Sequence, residues 1–556
     1  MQPTDSPTAV PPVAPAAKPA AGPATSPDSS PVGPPAPGGT GPGGTGPGRS
    51  GKPRGMSGSL NPISPKDWGP DQARHLLWRA GFCGTPQQIQ TLVKWGPAKS
   101  VDHLLDFDAI PFDAVKPDTF DKDIMRPLNS EERGDIAKAR RMNDEETVTR
   151  LRARRQEAER DDRQQMRKFQ HWWLKRMIET PRPLEERMTL FWHGHFATSY
   201  RTIEDSYHMF TQNQLFRKYA VGNFGKLLYE IIRDPAMIAY LDNNDSRKDK
   251  PNENLAREIM ELFSLGVGNY TEKDIKEGAR ALTGYTFEDD EFVFNQKNHD
   301  AGVKQILGRR GALDGDGFVS AILEQPACAR YLVRKLYRYF ALDYPTGRKE
   351  TDQIAQGVMS SLESTLLSTR YEVKPVLRRL FLSEHFYQPQ VMNEQIKSPA
   401  QLVVGAVRSL NTPTRDLGTL VDAMNMMGQN IGFPPSVKGW DGGRSWINTA
   451  TLYIRQNILC FLLTGRTPSG FDALSKTETY DPSLLLAALD STGSSADSRD
   501  ALIDGLLRFN LGKAESHNRE ILLRVMEQYA PGQAVTPDTI TQLLLLISAM
   551  PEYQLC

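Results

Sequence analysis

The chain has 556 residues, with 67 Lys and Arg against 67 Asp and Glu, so its formal net charge is zero. That balance argues against general nucleic-acid binding, which draws on a basic excess, and no nucleic-acid partner is expected. Four scattered cysteines, Cys83, Cys328, Cys460 and Cys556, form no CxxC pair; they read as reduced, mostly buried thiols rather than a zinc site or a disulfide framework.

Residues 1–65 are mostly Pro, Ala, Gly, Ser and Thr, and the first aromatic residue is Trp68. Such a segment has little apolar surface to offset ordering entropy, so a disordered, semi-extended arm is expected there. The residues from Met1 to Val10 lack the charged-then-apolar order of a secretory signal. No run approaches the ~18 apolar residues of a membrane span. These features predict a cytoplasmic protein without a membrane span; a periplasmic or envelope location is the alternative.

A helical body is expected over 66–465. Gln72–Ala80 places Leu76, Leu77 and Ala80 on one face, with Gly81 as the stop. Asn143–Glu179 reads as one long helix. Its first half carries Arg150, Arg152, Arg154 and Arg155 among acids, a salt-bridged surface. Its second half has Phe169, Trp173 and Met177 at core-facing spacing. A further helix starts at Pro183, with Glu185 and Glu186 at its positive end and Leu184, Met188, Phe191 and Trp192 on its buried face. Helices follow at Glu253–Leu265, Lys273–Thr283, Ala327–Phe340, Val373–Ser383, Pro399–Leu410 and Thr449–Leu463. A smaller helical region over 466–556 holds Pro482–Leu489, Asp497–Phe509, Arg519–Tyr529 and Ile540–Ile547. Phe287–Phe294 is the best strand candidate. The fold class is therefore mainly α, a large multi-helix body with at most a small hairpin.

Chemistry-capable residues concentrate between Phe191 and Asp300. FWHGHFATS carries His193 and His195. On a continuous helix these would point about 200° apart, so they can share a ligand only if the helix stops at Gly194. The opposing reading is two hydrogen-bonded histidines beside aromatics. PNENLAREIMELFSLGVG places Asn254, Glu258 and Glu261 on one face, with Arg257 beside them. Paired carboxylates can ligate a metal or divide into an acid and a base; a buried Glu–Arg network is the alternative. Thr271 and Asp274 resemble a capping box, and Arg280 and Thr283 look outward from the next helix.

The polar loop Asp242–Lys250, with Asp242 and Asn244, could meet sugar hydroxyls; it fails as a calcium loop, as does Asp314-Gly-Asp-Gly, and both read as turns. His299 and Asp300 form a dyad that can supply a ligand or a base. Trp440, Asp441, Arg444 and Trp446 crowd a Gly-rich loop, as a carbohydrate platform or as an aromatic plug. There is no G-x-S-x-G elbow, P-loop, HExxH or dinucleotide fingerprint.

HLLWRAGFCGTP, FWHGHFATS, NENLAREIMELFSLGVG with YTEKDIKEGARALTGY, HDAGVKQILG, KSPAQLVVGAVRSL and PPSVKGWDGGRSWINTATL follow one another in this order. From Asp67 to Thr464 the chain resembles the bacterial family called domain of unknown function 1800. The resemblance carries no activity with it. It implies an association with a sulfatase-like protein and with bacteria that process complex polymers, hence an envelope or polysaccharide role.

The expectation is thus a hydrolase of an extracellular or envelope polymer, with a polysaccharide favoured as ligand. In a metal-dependent form, His193, His195 and His299 bind a divalent ion and a carboxylate activates water. In a metal-free form, Glu258 and Asp300 act as acid and base, with Glu261 beside them. Asp242, Asn244, Asn254, Arg257, Arg280, Trp440, Asp441, Arg444 and Trp446 would line the substrate cleft. The other expectation is a non-catalytic scaffold or maturation partner of a sulfatase-like protein.

Overall fold

Ile63 marks how early the chain joins the body. In the computed structural model, which describes residues 56–117, 119–126, 130–466, 480–490, 499–529 and 535–556, the Ile63 N–H donates to the Leu382 carbonyl at 2.7 Å and the side chain is buried. Asn61 and Ser59 accept from the backbone of Glu384 and His385. The expected arm over 1–65 is therefore too long at its C-terminal end: one apolar side chain and a few backbone bonds suffice to pin its last residues. Its residues 1–55 lie outside those described.

Among the described residues there are 22 α-helices and two two-stranded antiparallel hairpins, so the mainly helical class holds. The long helix runs Glu145–Glu179, capped by the Asp144 carboxylate accepting from Thr147 N–H at 3.0 Å. Phe169, Trp173 and Met177 are buried as their spacing requires, while Arg150, Arg152, Arg154 and Arg155 lie in solvent. Arg154 and Arg155 pair with Glu132 at 3.2 Å and Glu159 at 2.9 Å. Such exposed pairs contribute little stability.

The next helix, Pro183–His195, starts at its proline and runs through Gly194. Its first-turn acids do more than meet the helix dipole. Glu186 is fully buried and is clamped by Arg217 at 2.8 and 2.9 Å and by Arg176. Burial alone would raise its proton affinity, but the two guanidinium groups overcome that and hold it ionised.

The hairpin pairs Tyr285–Glu288 with Glu291–Phe294 in register Tyr285 to Phe294, so the strand candidate Phe287–Phe294 lies in the small hairpin that was allowed for, with its turn at Asp289 and Asp290. A second hairpin, Lys304–Ile306 with Arg309–Gly311, begins in the HDAGVKQILG segment and exceeds the single hairpin expected. Its strands of three residues are too short to show a period. Asp314 is an N-cap, accepting from Gly317 N–H at 3.0 Å at the start of Gly315–Leu323, where a plain turn was expected.

The C-terminal region holds helices Ser483–Asp490, Arg499–Leu511, Ser516–Tyr529 and Pro537–Ala549; the expected start at Asp497 lies outside the described residues. They are tied to the body through its last turn. Cys556 N–H donates to Gln395 O at 2.9 Å, and the buried Lys397 ammonium donates to Tyr553 O at 2.6 Å between the Trp78 and Tyr553 rings. From Gly55 to Cys556 the chain forms one compact unit, with a single large apolar cluster extending from Ile63 to Tyr553.

Candidate functional site

The two histidines of FWHGHFATS do not share a ligand. Because the helix continues through Gly194, their rings diverge. His193 Nε2 accepts the Gly432 N–H at 3.0 Å, which requires the proton on Nδ1. His195 Nε2 lies 2.9 Å from the Phe263 carbonyl, which requires the proton on Nε2. Burial holds each imidazole down to about 3, so both are neutral. Each occupies its Nε2 on backbone. The sequence reading of a joint metal site is corrected here: the helix does not stop at Gly194. The close approach at this point is that of Gly439, whose Cβ would stand 2.0 Å from the Gly194 carbonyl oxygen.

Glu253–Glu258 is α-helical and Ile259–Ser264 is a π-turn. The Phe263 carbonyl is free to accept because it lies in the last turn, where helix carbonyls have no partner within the helix. His195 takes Phe263 O, and Tyr331 OH takes Leu262 O at 2.7 Å. Glu258 immediately precedes the π-turn and Glu261 lies within it. Both carboxylates are half-buried. Partial burial, followed by the Glu261 charge, raises the proton affinity of Glu258; Arg257 and Lys438 act against this. Glu261 accepts a very short hydrogen bond from Tyr270 OH. Arg257 itself is engaged elsewhere, forked onto Glu272 at 2.9 Å and touching Glu253 at 3.2 Å. Asn254 is exposed, and its N–H donates to Asn252 Oδ1 at 2.9 Å.

Asp300 is not a free acid or base. Arg280 donates to it from Nε at 2.7 Å and Nη2 at 3.2 Å, and this hydrogen bonding holds its carboxyl below the usual range. Arg280 also grips Glu277 at 2.9 Å, so it faces a carboxylate cluster rather than solvent. Thr283, expected outward, is buried. His299 Nδ1 lies 2.9 Å from the Thr283 carbonyl and its ring packs against Phe294. The His299–Asp300 segment therefore clasps the end of helix Glu272–Ala281.

Asp242 and Asn244 are exposed, and Asp242 has left-handed backbone. Their carbonyls accept from Asn252 Nδ2 at 2.9 Å and Thr286 OH at 3.5 Å, which folds the loop on itself. Of the Gly-rich loop, Trp446 is buried beside Gly428 and cannot present a platform. Trp440 is half-buried, edge-on to His193 at 5.5 Å. Asp441 and Arg444 are exposed. The loop reaches the carboxylate pair through Lys438, whose charge acts on Glu258.

One cluster escaped the sequence reading. Asp205 caps helix Ser206–Lys218, its Oδ1 accepting from Tyr207 and His208 N–H at 3.0 Å each. One turn on, His208 Nε2 lies 3.1 Å from Asp290 Oδ1, and His208 Nδ1 lies 3.9 Å from Asp205 Oδ2. One ligand atom from each of Asp205, His208 and Asp290 falls within 4.8 Å of the others. They line a cavity of about 300 Å³ together with Lys122, Arg126 and Arg155. Among the described residues this is where three groups of the kinds that hold a metal converge, and none of His193, His195, His299, Glu258 or Glu261 belongs to it. Asp205 and His208 stand at i and i+3, a local signal; Asp290 arrives from the distant hairpin turn, which no spacing announces.

The class defined by this fold is a large helical body with irregular, polar helix ends. The chain belongs to the family described as protein of unknown function (DUF1800), whose model matches residues 75–555. The match runs through the final helices, beyond the Thr464 at which the resemblance was drawn. No curated protein and no solved structure matches the chain.

Proposed function

We propose that the protein is a hydrolase of an extracellular or envelope polymer, with a polysaccharide favoured, and that Glu258 and Glu261 are its acid–base pair. The observation that carries this is the pairing itself. Two half-buried carboxylates stand three residues apart, Glu258 at the end of the α-turn and Glu261 within the π-turn, and Glu258 is pushed toward its protonated form by partial burial and by Glu261. Unequal environments on neighbouring carboxylates are how one becomes a proton donor and the other a base at neutral pH. Glu258 is the acid in this reading, and Glu261, oriented by Tyr270, the base or nucleophile. Lys438 and the exposed Asp441 and Arg444 offer polar contacts to a chain-like ligand from the neighbouring loop.

The test is release of reducing ends from a panel of neutral and anionic polysaccharides by the full chain. Glu258→Gln should lower the rate by about 10²–10⁴-fold, the usual worth of a positioned acid. Unchanged turnover in Glu258→Gln would remove the proposal.

A second reading is a non-catalytic scaffold or maturation partner for a sulfatase-like protein. It is favoured by the commitment of His193, His195, His299 and Asp300 to structural hydrogen bonds. Co-purification with such a partner, combined with no turnover on the panel, would select it.

A further inference from the structure

We propose that Asp205, His208 and Asp290 form a binding site for a divalent transition-metal ion. This site is separate from the Glu258–Glu261 pair and does not depend on the hydrolase reading.

Three observations converge on it. The first is the donor set, one imidazole and two carboxylates with ligand atoms within 4.8 Å of one another. That mixture suits zinc, manganese or ferrous iron better than the all-oxygen shells of calcium and magnesium.

The second is the state of His208. The residue is 4 % exposed, and its Nε2 is buried without a hydrogen-bond partner. Asp290 Oδ1 is only 3.1 Å away, yet the approach falls outside hydrogen-bond geometry. A buried ring nitrogen left unpaired is costly. An ion between Nε2 and the Asp290 carboxylate removes that cost and needs no other change. Phe287 packs edge-on against the ring at 5.2 Å and holds its plane.

The third is the way each carboxylate is positioned. Asp205 uses Oδ1 for the two backbone N–H groups of its own helix start, which fixes the side chain and leaves Oδ2 facing His208. Asp290 is half-buried in the hairpin turn. Desolvation raises its proton affinity, the nearby His208 lowers it, and Asp205 raises it again. A half-buried carboxylate beside a second carboxylate is a place where a cation is favoured. The cavity of about 300 Å³ on which they open leaves room for water or a substrate oxygen to complete the coordination. Lys122, Arg126 and Arg155 line the same cavity, so any further ligand of the ion would be anionic or strongly polar.

The competing account is a plain imidazolium–carboxylate ion pair. The two are separated by titrating the full chain, stripped with chelator, with Zn²⁺ and Mn²⁺ by calorimetry. Mg²⁺ and Ca²⁺ serve as controls. The expected result is one ion per chain for Zn²⁺ or Mn²⁺. Asp290→Asn, isosteric and placed at a hairpin turn, should weaken the affinity by at least about tenfold, since even outer partners of a metal ligand cost that much. His299→Asn, away from the site, should leave it unchanged. The imidazole is read directly: pulsed electron paramagnetic resonance of the Mn²⁺ form should show nitrogen coupling that His208→Asn abolishes, with circular dichroism confirming that the variant is folded. Absence of stoichiometric binding would overturn the proposal. So would binding that Asp290→Asn leaves intact, or nitrogen coupling that survives His208→Asn.

Discussion

The buried histidines make a sharp prediction about acid. His193 and His195 are both neutral in the fold, with burial holding each down to about 3, whereas an exposed imidazole in the unfolded chain titrates near ~6.5. As pH falls below that value the unfolded chain takes up protons that the folded chain refuses. Stability contributed by the neutral rings is therefore full above pH ~6.5 and is lost progressively as pH falls toward 3. Between pH 7 and pH 5 the linkage amounts to about 2 kcal/mol for each ring, and about 4 kcal/mol for the pair. The perturbation that isolates this is the double variant His193→Gln/His195→Gln. Glutamine reaches as far as Nε2, so its oxygen can accept from Gly432 N–H and its amide can donate to Phe263 O, but it does not titrate. The variant should be less stable than the natural chain at pH 7, because the aromatic packing around the rings is lost. Its stability should then fall much less on acidification. Urea unfolding followed by tryptophan fluorescence at pH 7, 6 and 5 measures both curves, and every other titrating group cancels in their difference. If the two curves run parallel, the histidines are not buried neutral groups and their assigned hydrogen bonds are wrong. If the natural chain instead loses stability with chelator at pH 7, and the variant does not, they hold a metal after all.

Two further outcomes follow from single positions. Gly439→Ala should destabilise by about 2 kcal/mol or more, because the residue has φ of +76° and its Cβ would stand 2.0 Å from the Gly194 carbonyl oxygen; an unchanged thermal midpoint would show that the loop does not press on that helix. Asp234 is buried and pushed up to about 6 by desolvation, from an ordinary value of 3.8, so the stability it contributes is present below pH 3.8 and is lost as pH rises through 6. Asp234→Asn, which keeps an oxygen for Met237 N–H and Gln212, should accordingly gain about 2 kcal/mol on the natural chain between pH 4.5 and pH 7.5, and a difference independent of pH in chemical unfolding would contradict the assigned burial.

Helical periodicity was legible wherever one face is apolar. The stripe of Phe169, Trp173 and Met177 gives its helix directly, and Thr271 with Asp274 forms the capping box that the sequence suggests. What periodicity cannot register is a local change of winding. Nothing in NENLAREIMELFSLGVG separates the α-turn ending at Glu258 from the π-turn that follows, because both keep apolar residues inward. The Phe263 carbonyl is open because the helix ends at Ser264, and that decides what His195 does. The candidate site was legible as residue types and not as partners. Glu258 and Glu261 lie close in sequence and could be paired by spacing. Asp300 could not be assigned to Arg280, nor His193 to Gly432, because those contacts depend on how loops return to helix ends. The Asp205–His208–Asp290 group was missed for the same reason, its third member coming from a hairpin turn that no spacing connects to the helix start bearing the other two.

A common logic connects these outcomes. Irregular helix ends leave backbone donors and acceptors open, and each must find a partner when buried. The polar motifs supply those partners: His193 for Gly432 N–H, His195 for Phe263 O, His299 for Thr283 O, and Thr283 OH for Asp300 N–H. An ionisable residue whose hydrogen-bonding capacity goes to backbone is held there and is a poor candidate for chemistry. Glu258 and His208 differ from the rest in this respect. The Glu258 carboxylate is set mainly by solvent exclusion and neighbouring charge, and the His208 Nε2 has a carboxylate within reach but no bond to it. The short helix Pro235–Tyr240 lies between their surroundings, with Ala239 lining the cavity at His208 and Tyr240 feeling the charge of Glu258. Chemistry in this body is therefore to be sought on the two sides of that helix, rather than at the histidine pair that the sequence makes most conspicuous.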